Sequence, residues 1–317
     1  MPDEVRVLDS EVVPFTLIAE QSLNGLQFGL MLFLLAAGLT LVFGIMDMIN
    51  LAHGSLYMVG AFMASTLVQA TGSFWLGVLL ALPATAIVGM ILEISILRTL
   101  YARDHLSQVL ATFALILIIN EAVRLVWGTD AALPTPQALS GPVELFPGLT
   151  YSAYRLLIIG VGFGVALFLF LLINKTRVGM LVRAGASNRE MALAMGVNIK
   201  MLFTAVFGVG TALCALAGAL LAPLLAVQVG MGENILILAF VVIVIGGIGS
   251  IRGALVGALL VGVVDTIGRA FLPIAFGAFL PPQFASAAGP AIASVAIYLL
   301  MAVVLYLRPQ GLFPARG

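Results

Sequence analysis

Charge is what this chain has least of. Only 9% of its 317 residues are Asp, Glu, Lys or Arg, against 62% hydrophobic, and the mean hydropathy is +1.20. An ordinary soluble chain is about a quarter charged, so too few polar atoms remain here to cover a water-facing surface. The composition excludes a soluble globular protein and leaves an integral membrane protein. Fourteen basic and fourteen acidic residues cancel, which removes the electrostatic footprint that nucleic-acid binding requires. Cysteine is nearly absent: Cys214 stands alone and can close no intramolecular disulfide. Lysine occurs twice, at Lys175 and Lys200, and neither follows a glycine, so there is no P-loop to hold phosphates. Histidine occurs at His53 and His105, without a cysteine cluster or an H-E-x-x-H run, so no zinc site is expected. His53 and Ser55 are two positions apart and point to different helix faces, which argues against an intramembrane serine nucleophile with its base. Gly247 and Gly249 are followed by Gly253, one position late for a dinucleotide fingerprint. No catalytic residue, no metal and no cofactor bound by this chain is expected. The first residues are acidic (Asp3, Glu4, Asp9, Glu11) where a signal peptide would be basic, so no cleavage is expected.

What the chain has is long apolar runs. A bilayer core takes roughly 20 apolar residues as a helix, and charges and prolines divide the sequence into nine such stretches, at 23–46, 51–70, 74–97, 106–127, 156–174, 201–228, 234–249, 254–272 and 289–307. They show no period-2 alternation, so they read as helices and not as barrel strands. The expected class is an all-α polytopic membrane protein with eight to ten transmembrane helices, the first pair and the short seventh being candidates for re-entrant or broken segments. Residues 1–22 read as an outer N-terminal extension, 23–307 as the membrane domain and 308–317 as an inner tail. Basic residues are retained on the cytoplasmic side. With the N-terminus outside, ten of the fourteen fall inside: Arg98, Arg103, Lys175, Arg177, Arg183, Arg189, Lys200, Arg252, Arg308 and Arg316. The outer gap from 128 to 155, rich in proline, reads as an irregular loop packed over a cavity mouth.

The inner segment 175–200 carries the most information. Ser187 or Asn188 can cap a short helix running from Glu190 to Met195, and Gly196 can end it in a left-handed conformation. Such a helix would show methionines and alanines on one face and charge on the other. It is either an amphipathic connector on the headgroups or a docking helix that inserts into a groove on a cytoplasmic partner.

Three blocks now point the same way. Glu190-x-Ala192-x-x-x-Gly196 resembles the coupling-loop motif of ATP-binding-cassette importer permeases, with Met191 in place of its first alanine. Gly38 to Gly44 together with Ile49-Asn50-Leu-Ala-His53-Gly54, and Gly246-Gly247-Ile-Gly249-Ser250-Ile-Arg252-Gly253 through Gly257, resemble the N- and C-terminal signatures of the branched-chain amino acid permease family. Arg308-Pro-Gln-Gly-Leu-Phe313 is similar to that family's ending. The resemblance implies a permease subunit in the bacterial inner membrane. It would pair with a second, homologous permease, two cytoplasmic ATPase subunits that use ATP and Mg, and a periplasmic substrate-binding protein. Closure of the ATPases would act through Arg189, Glu190, Ala192 and Gly196. Branched-chain or related small amino acids are the implied cargo, with urea, short amides or aromatic and aliphatic carboxylates as alternatives. A stand-alone secondary transporter or channel is the competing class. It would call for a charged relay at mid-membrane, and no span centre shows one.

Other candidates keep two readings. Asn50, His53 and Gly54 could line the path or form a hinge, or could be a tight inner turn with Asp47 capping the second helix. Gly249, Gly253 and Gly257 repeat every four residues, which suits close helix packing within the subunit or a permease–permease interface. Glu121 with Arg124, and Asp265 with Arg269, are spaced to neutralise one another on a helix face, and could alternatively receive the binding protein or a zwitterionic substrate at the outer mouth. Glu93 has Arg98 within reach.

Overall fold

A computed structural model describes residues 4–314 apart from 278 and 280, with the backbone alone described over 4–15 and at 282. The chain is a polytopic helical membrane protein. Helix α1 (Glu4–Met46) is followed by α2 (His53–Thr71) and α3 (Phe74–Leu92), which runs through a π-turn at Glu93–Leu97 into α4 (Arg98–Leu100). Then come α5 (His105–Trp127), α6 (Ala153–Lys175), α7 (Arg177–Ser187), α8 (Arg189–Ala194), α9 (Ile199–Leu221), α10 (Met231–Gly246), α11 (Ile251–Gly277) and α12 (Pro282–Leu307). Each of the nine apolar stretches lands on a helix. Seven of these helices are long and apolar enough to cross a bilayer; α2 falls short in hydropathy and α10, with 16 residues, in length.

Burial sorts the helices by role. In the apolar windows of α1 and α9, 83% and 72% of residues are buried, against 17–28% for α3, α5, α6, α11 and α12. A helix apolar all round must be enclosed by protein or by lipid. Here α1 and α9 are enclosed by protein, and the other five turn broad apolar faces outward, such as Leu79, Ile118 and Leu167. Glycines let α1 reach the centre. A β-carbon on Gly29 would stand 2.8 Å from the Ala258 carbonyl oxygen of α11, and one on Gly38 would stand 2.6 Å from the Gly210 carbonyl oxygen of α9. Side chains at these crossings would hold the backbones apart.

Three boundaries differ from the sequence reading. The N-terminal segment is helical from Glu4 and joins the first span without a break, α1 being one continuous helix of 43 residues. The sixth stretch, expected to run to 228, ends at Leu221, just before Pro223 and the two-residue strand β4 (Val227–Gln228), which pairs antiparallel with β1 (Asp130–Ala131). The seventh ends at Gly246, because Gly247 (φ +105°) and Gly249 (φ +80°) take the left-handed side of the map to form a turn. The outer gap is not wholly irregular: β2 (Pro142–Phe146) and β3 (Leu149–Ser152) form a hairpin. This layer is tied down by the Ser65 hydroxyl donating to the Ala132 carbonyl at 2.8 Å and the Trp127 indole donating to the Thr66 hydroxyl at 2.7 Å.

The segment after α12 returns to the bundle. Backbone N–H groups of Leu312 and Phe313 donate to the Ile245 and Gly246 carbonyls, both at 2.9 Å, satisfying two of the groups that the end of α10 leaves open. The glycine block 246–257 and the ending Arg308–Phe313 are thus one unit. Deleting residues 308–317 is expected to lower stability by about 2–3 kcal/mol, at roughly 1 kcal/mol per lost hydrogen bond plus the uncovered apolar surface. A thermal melt of the detergent-solubilised protein checks it.

Candidate functional site

After α6 come two short helices built by local capping. Thr176 Oγ1 accepts from the Gly179 N–H at 3.1 Å, opening α7. Asn188 Oδ1 accepts from the Met191 N–H at 2.8 Å, opening α8, so Asn188 is the cap and Ser187 is the last residue of α7. Gly196 (φ +85°) ends the segment, with the Val197 N–H donating to the Ala192 carbonyl at 3.0 Å. Asn198 Oδ1 then accepts from the Met201 N–H at 3.1 Å and starts α9. Caps of this kind fix where a helix begins more firmly than composition does.

The facing of α8 differs from the expected split of methionine and alanine against charge. Ala192 is the buried residue, at 5% exposure, while Met191, Leu193 and Met195 stand out at 60%, 53% and 79% beside an exposed Glu190. The Arg189 guanidinium lies 4.6 Å over the Phe203 ring of α9, a cation–π contact that pins the start of α8 to the bundle. The result is a small rigid knob whose inner side is seated by Ala192 and whose outer side is apolar and free. Adaptable methionine surfaces are common where a helix is received by a groove.

A second polar group lies deep in the bundle. Six residues, Asp47 to Ala52, carry the chain from the end of α1 to the start of α2 at His53, whose imidazole reaches Gly38: a β-carbon on Gly38 would be 3.0 Å from His53 Nε2. Gly38 is eight residues before the end of α1, about 12 Å along that helix. The connection turns back into the bundle and is re-entrant, not a tight turn at the helix ends. Asp47 does not cap α2; it terminates α1 with φ +50°, and the residue before α2 is Ala52, with no side-chain cap. Asn50 Oδ1 accepts from the Ala52 N–H at 3.1 Å, and the Ile49 N–H donates to Gln108 Oε1 at 3.4 Å. Gly54 allows the approach of α10, since a β-carbon there would be 2.5 Å from the Gly232 carbonyl oxygen. His53 Nε2 is 2.9 Å from Cys214 Sγ. Asn50 and His53 are fully buried, so they face the inside of this subunit and no open surface. Among the described residues, Thr40 Oγ1, Asn50 Nδ2, His53 Nδ1 and Ser55 Oγ have no hydrogen-bond partner. Irregular backbone at this depth, with polar atoms left over, suits a hinge better than a path lining.

The glycine repeat is occupied within the chain. Gly249 belongs to the turn before α11, where a β-carbon on Gly44 of α1 would be 2.9 Å from its Cα. Gly253 abuts Gly246, and a β-carbon on Gly257 would be 2.6 Å from the Val242 carbonyl oxygen. Gly253 and Gly257 are buried against backbone inside this subunit, while Gly249 stays half-buried at the turn.

The charge pairs form as spaced: Arg124 to Glu121 at 3.2 Å, Arg269 to Asp265 at 2.8 Å and Arg98 to Glu93 at 3.0 Å. Ser294 of α12 accepts from Arg269 at 2.9 Å, and Glu93 also accepts from the Tyr101 hydroxyl at 2.9 Å and the Thr204 hydroxyl at 2.6 Å. Replacing Asp265 with Asn and Arg269 with Gln together is expected to leave uptake within about twofold of the parent. Losing both charges leaves nothing unpaired, whereas Arg269→Ala alone strands a buried carboxylate and costs more. Uptake assays of the double and single variants separate the cases. One contact had no signal in the sequence: Asn120 Nδ2 of α5 donates to Glu233 Oε1 of α10 at 2.7 Å.

Comparison with known proteins places this geometry. Residues 21–305 match the family described as the branched-chain amino acid transport system permease component. The chain is 36% identical over 262 residues, 78% of its length and 85% of the relative's, to the high-affinity branched-chain amino acid transport system permease protein BraD of Pseudomonas aeruginosa. It is 30% identical over 278 residues, 81% of its length and 88% of the relative's, to the corresponding permease LivH of Escherichia coli. A probable branched-chain amino acid transport permease of Methanocaldococcus jannaschii is 29% identical over 258 residues, 78% of this chain and 80% of that one. No solved structure matches. The chain belongs to the family of branched-chain amino acid transport system permease components.

Proposed function

We propose that this chain is the transmembrane permease subunit of an ATP-binding-cassette importer that moves branched-chain or related small amino acids into the cytoplasm. The observation that carries this reading is the α8 knob: a six-residue helix capped by Asn188, seated by Ala192 and presenting Met191, Leu193 and Met195 outward. It lies in the most basic inter-helical segment of the chain, where the importer motif belongs. The relatives' names supply the cargo. In this reading nine helices cross or enter the bacterial inner membrane, N-terminus outside and C-terminus inside, with ten of fourteen basic residues on the inner side. A second, homologous permease and a periplasmic binding protein complete the outer part. Two cytoplasmic ATPase subunits, using ATP and Mg, grip α8 from below, and the chain itself performs no chemistry. Rocking of α8 against α9 would be transmitted to α2 through their close packing, with the re-entrant segment 47–52 as the place where the backbone gives.

The test is leucine uptake into proteoliposomes holding the permease pair, with the cognate ATPase subunits and binding protein. Uptake that requires ATP and the ATPase subunits, and is lost when Glu190 and Gly196 are replaced, supports the reading. Uptake by this chain without any ATPase overturns it.

A further inference from the structure

The pairing of Asn120 with Glu233 holds an ionisable group where lipid would not tolerate one. Glu233 lies in the first turn of α10 and is exposed on the outside of this chain. Asn120 is seven residues before the end of α5, so the pair sits about 10 Å below the outer end of that helix. Among the described residues no cation pairs with Glu233, unlike Glu121, Glu93 and Asp265. A first-turn position favours a carboxylate through the helix dipole, but that does not remove the cost of facing hydrocarbon. Ionisable side chains at membrane depth almost always face a cavity or the bundle interior.

The neighbours are ordered by polarity along the two helices. Arg124 is one turn outward from Asn120 on α5, held only by exposed Glu121 at 3.2 Å. One turn inward stand apolar side chains: Leu117 on α5 at 56% exposure and Ile237 on α10 at 51%. Helical spacing of three or four residues places each of them on the same face as its polar neighbour.

We propose that the α5–α10 face lines the outer half of the translocation path and forms a transient site for an aliphatic α-amino acid. The Glu233 carboxylate, oriented by Asn120, receives the ammonium group. Arg124, exchanging its Glu121 partner, receives the carboxylate. Leu117 and Ile237 take the aliphatic side chain, which therefore leads the zwitterion inward. The inference rests on the importer reading and adds the cargo's contacts to it.

The experiment uses the assembled importer, permease pair with ATPase subunits and binding protein, in proteoliposomes. Glu233→Gln keeps the shape and still accepts from Asn120, so assembly is expected to be unchanged while leucine uptake falls about tenfold or more, the loss expected when a charge-assisted contact to an ammonium becomes neutral. Glu233→Asp restores part of it. A second measurement is independent of transport. In a Cys214→Ala background, Asn234→Cys is treated from the outer side with cationic and anionic methanethiosulfonate reagents. The cationic reagent is expected to react several-fold faster, and Glu233→Gln is expected to abolish that preference. Normal uptake by the Glu233→Gln importer overturns the site, as does a position 234 that neither reagent reaches or that both modify equally. If instead the parent complex imports nothing, or imports without its ATPase, the importer reading fails and the reagent preference still reports on the face.

Discussion

An Ala192→Leu chain is expected to reach the membrane and assemble with its partner permease, yet to import amino acids at less than about a tenth of the parent rate. Ala192 is the buried residue of α8, with 5% of its surface exposed, and its carbonyl accepts from the Val197 N–H at 3.0 Å. Three further carbons there have nowhere to go except between α8 and the α7–α9 surface that seats it. Overpacking a well-filled contact costs about 1–3 kcal/mol. Here the cheapest relief is to lift α8, because it is six residues long and held by one cap, one cation–π contact and Ala192 itself. The apolar knob then leaves the position in which a rigid groove could receive it. The companion change is Met195→Ala, at 79% exposure. It removes contact area from the knob without disturbing its seat, so capture of the ATPase should weaken while the permease melts unchanged. Uptake rate, ATPase co-purification and thermal melting are the three readouts. Normal uptake with Leu at 192 would show that α8 is not gripped by its outward side.

Local chemistry accounts for what the sequence made legible. Each apolar run became a helix because the bilayer leaves the backbone no other partner. The ion pairs at three to five residues' spacing formed because one helix places both members. The coupling segment was readable from Asn188, Gly196 and the motif between them. What stayed hidden depends on distant parts of the chain. Residues 47–52 look like a turn until the packing beyond them is seen, with the His53 imidazole reaching Gly38 and Cys214 and Gly54 abutting Gly232. Asn120 and Glu233 are 113 positions apart, and no periodicity joins them. The glycine repeat shows the same limit from the other side. Spacing says that something comes close to Gly253 and Gly257, but not that it is Gly246 and Val242 of this same chain.

Because backbone contact at glycine carries so much of this packing, the largest stability effect is expected at the α1–α9 crossing. Gly38→Val should prevent accumulation of folded protein, a loss of about 3 kcal/mol or more. Its β-carbon would stand 2.6 Å from the Gly210 carbonyl oxygen and 3.0 Å from His53 Nε2. The first neighbour is backbone and cannot rotate away, so α1 and α9, the two most enclosed helices, must separate. Dense interiors do not absorb such a shift locally. Separation would also draw His53 from Cys214 and loosen the re-entrant segment on which α2 begins. Gly38→Ala already adds the clashing carbon and should lower the melting temperature by several degrees, with valine worse. Gly160→Val on α6 is the control: nothing lies within 4 Å of its β-carbon position, so the same added volume should leave accumulation and melting unchanged. Fluorescence-detected size-exclusion of the three variants ranks them. If Gly38→Val accumulates like Gly160→Val, the crossing is looser than the contact at Gly210 requires, and the proposed transmission from α8 through α9 to the re-entrant segment loses its rigid link.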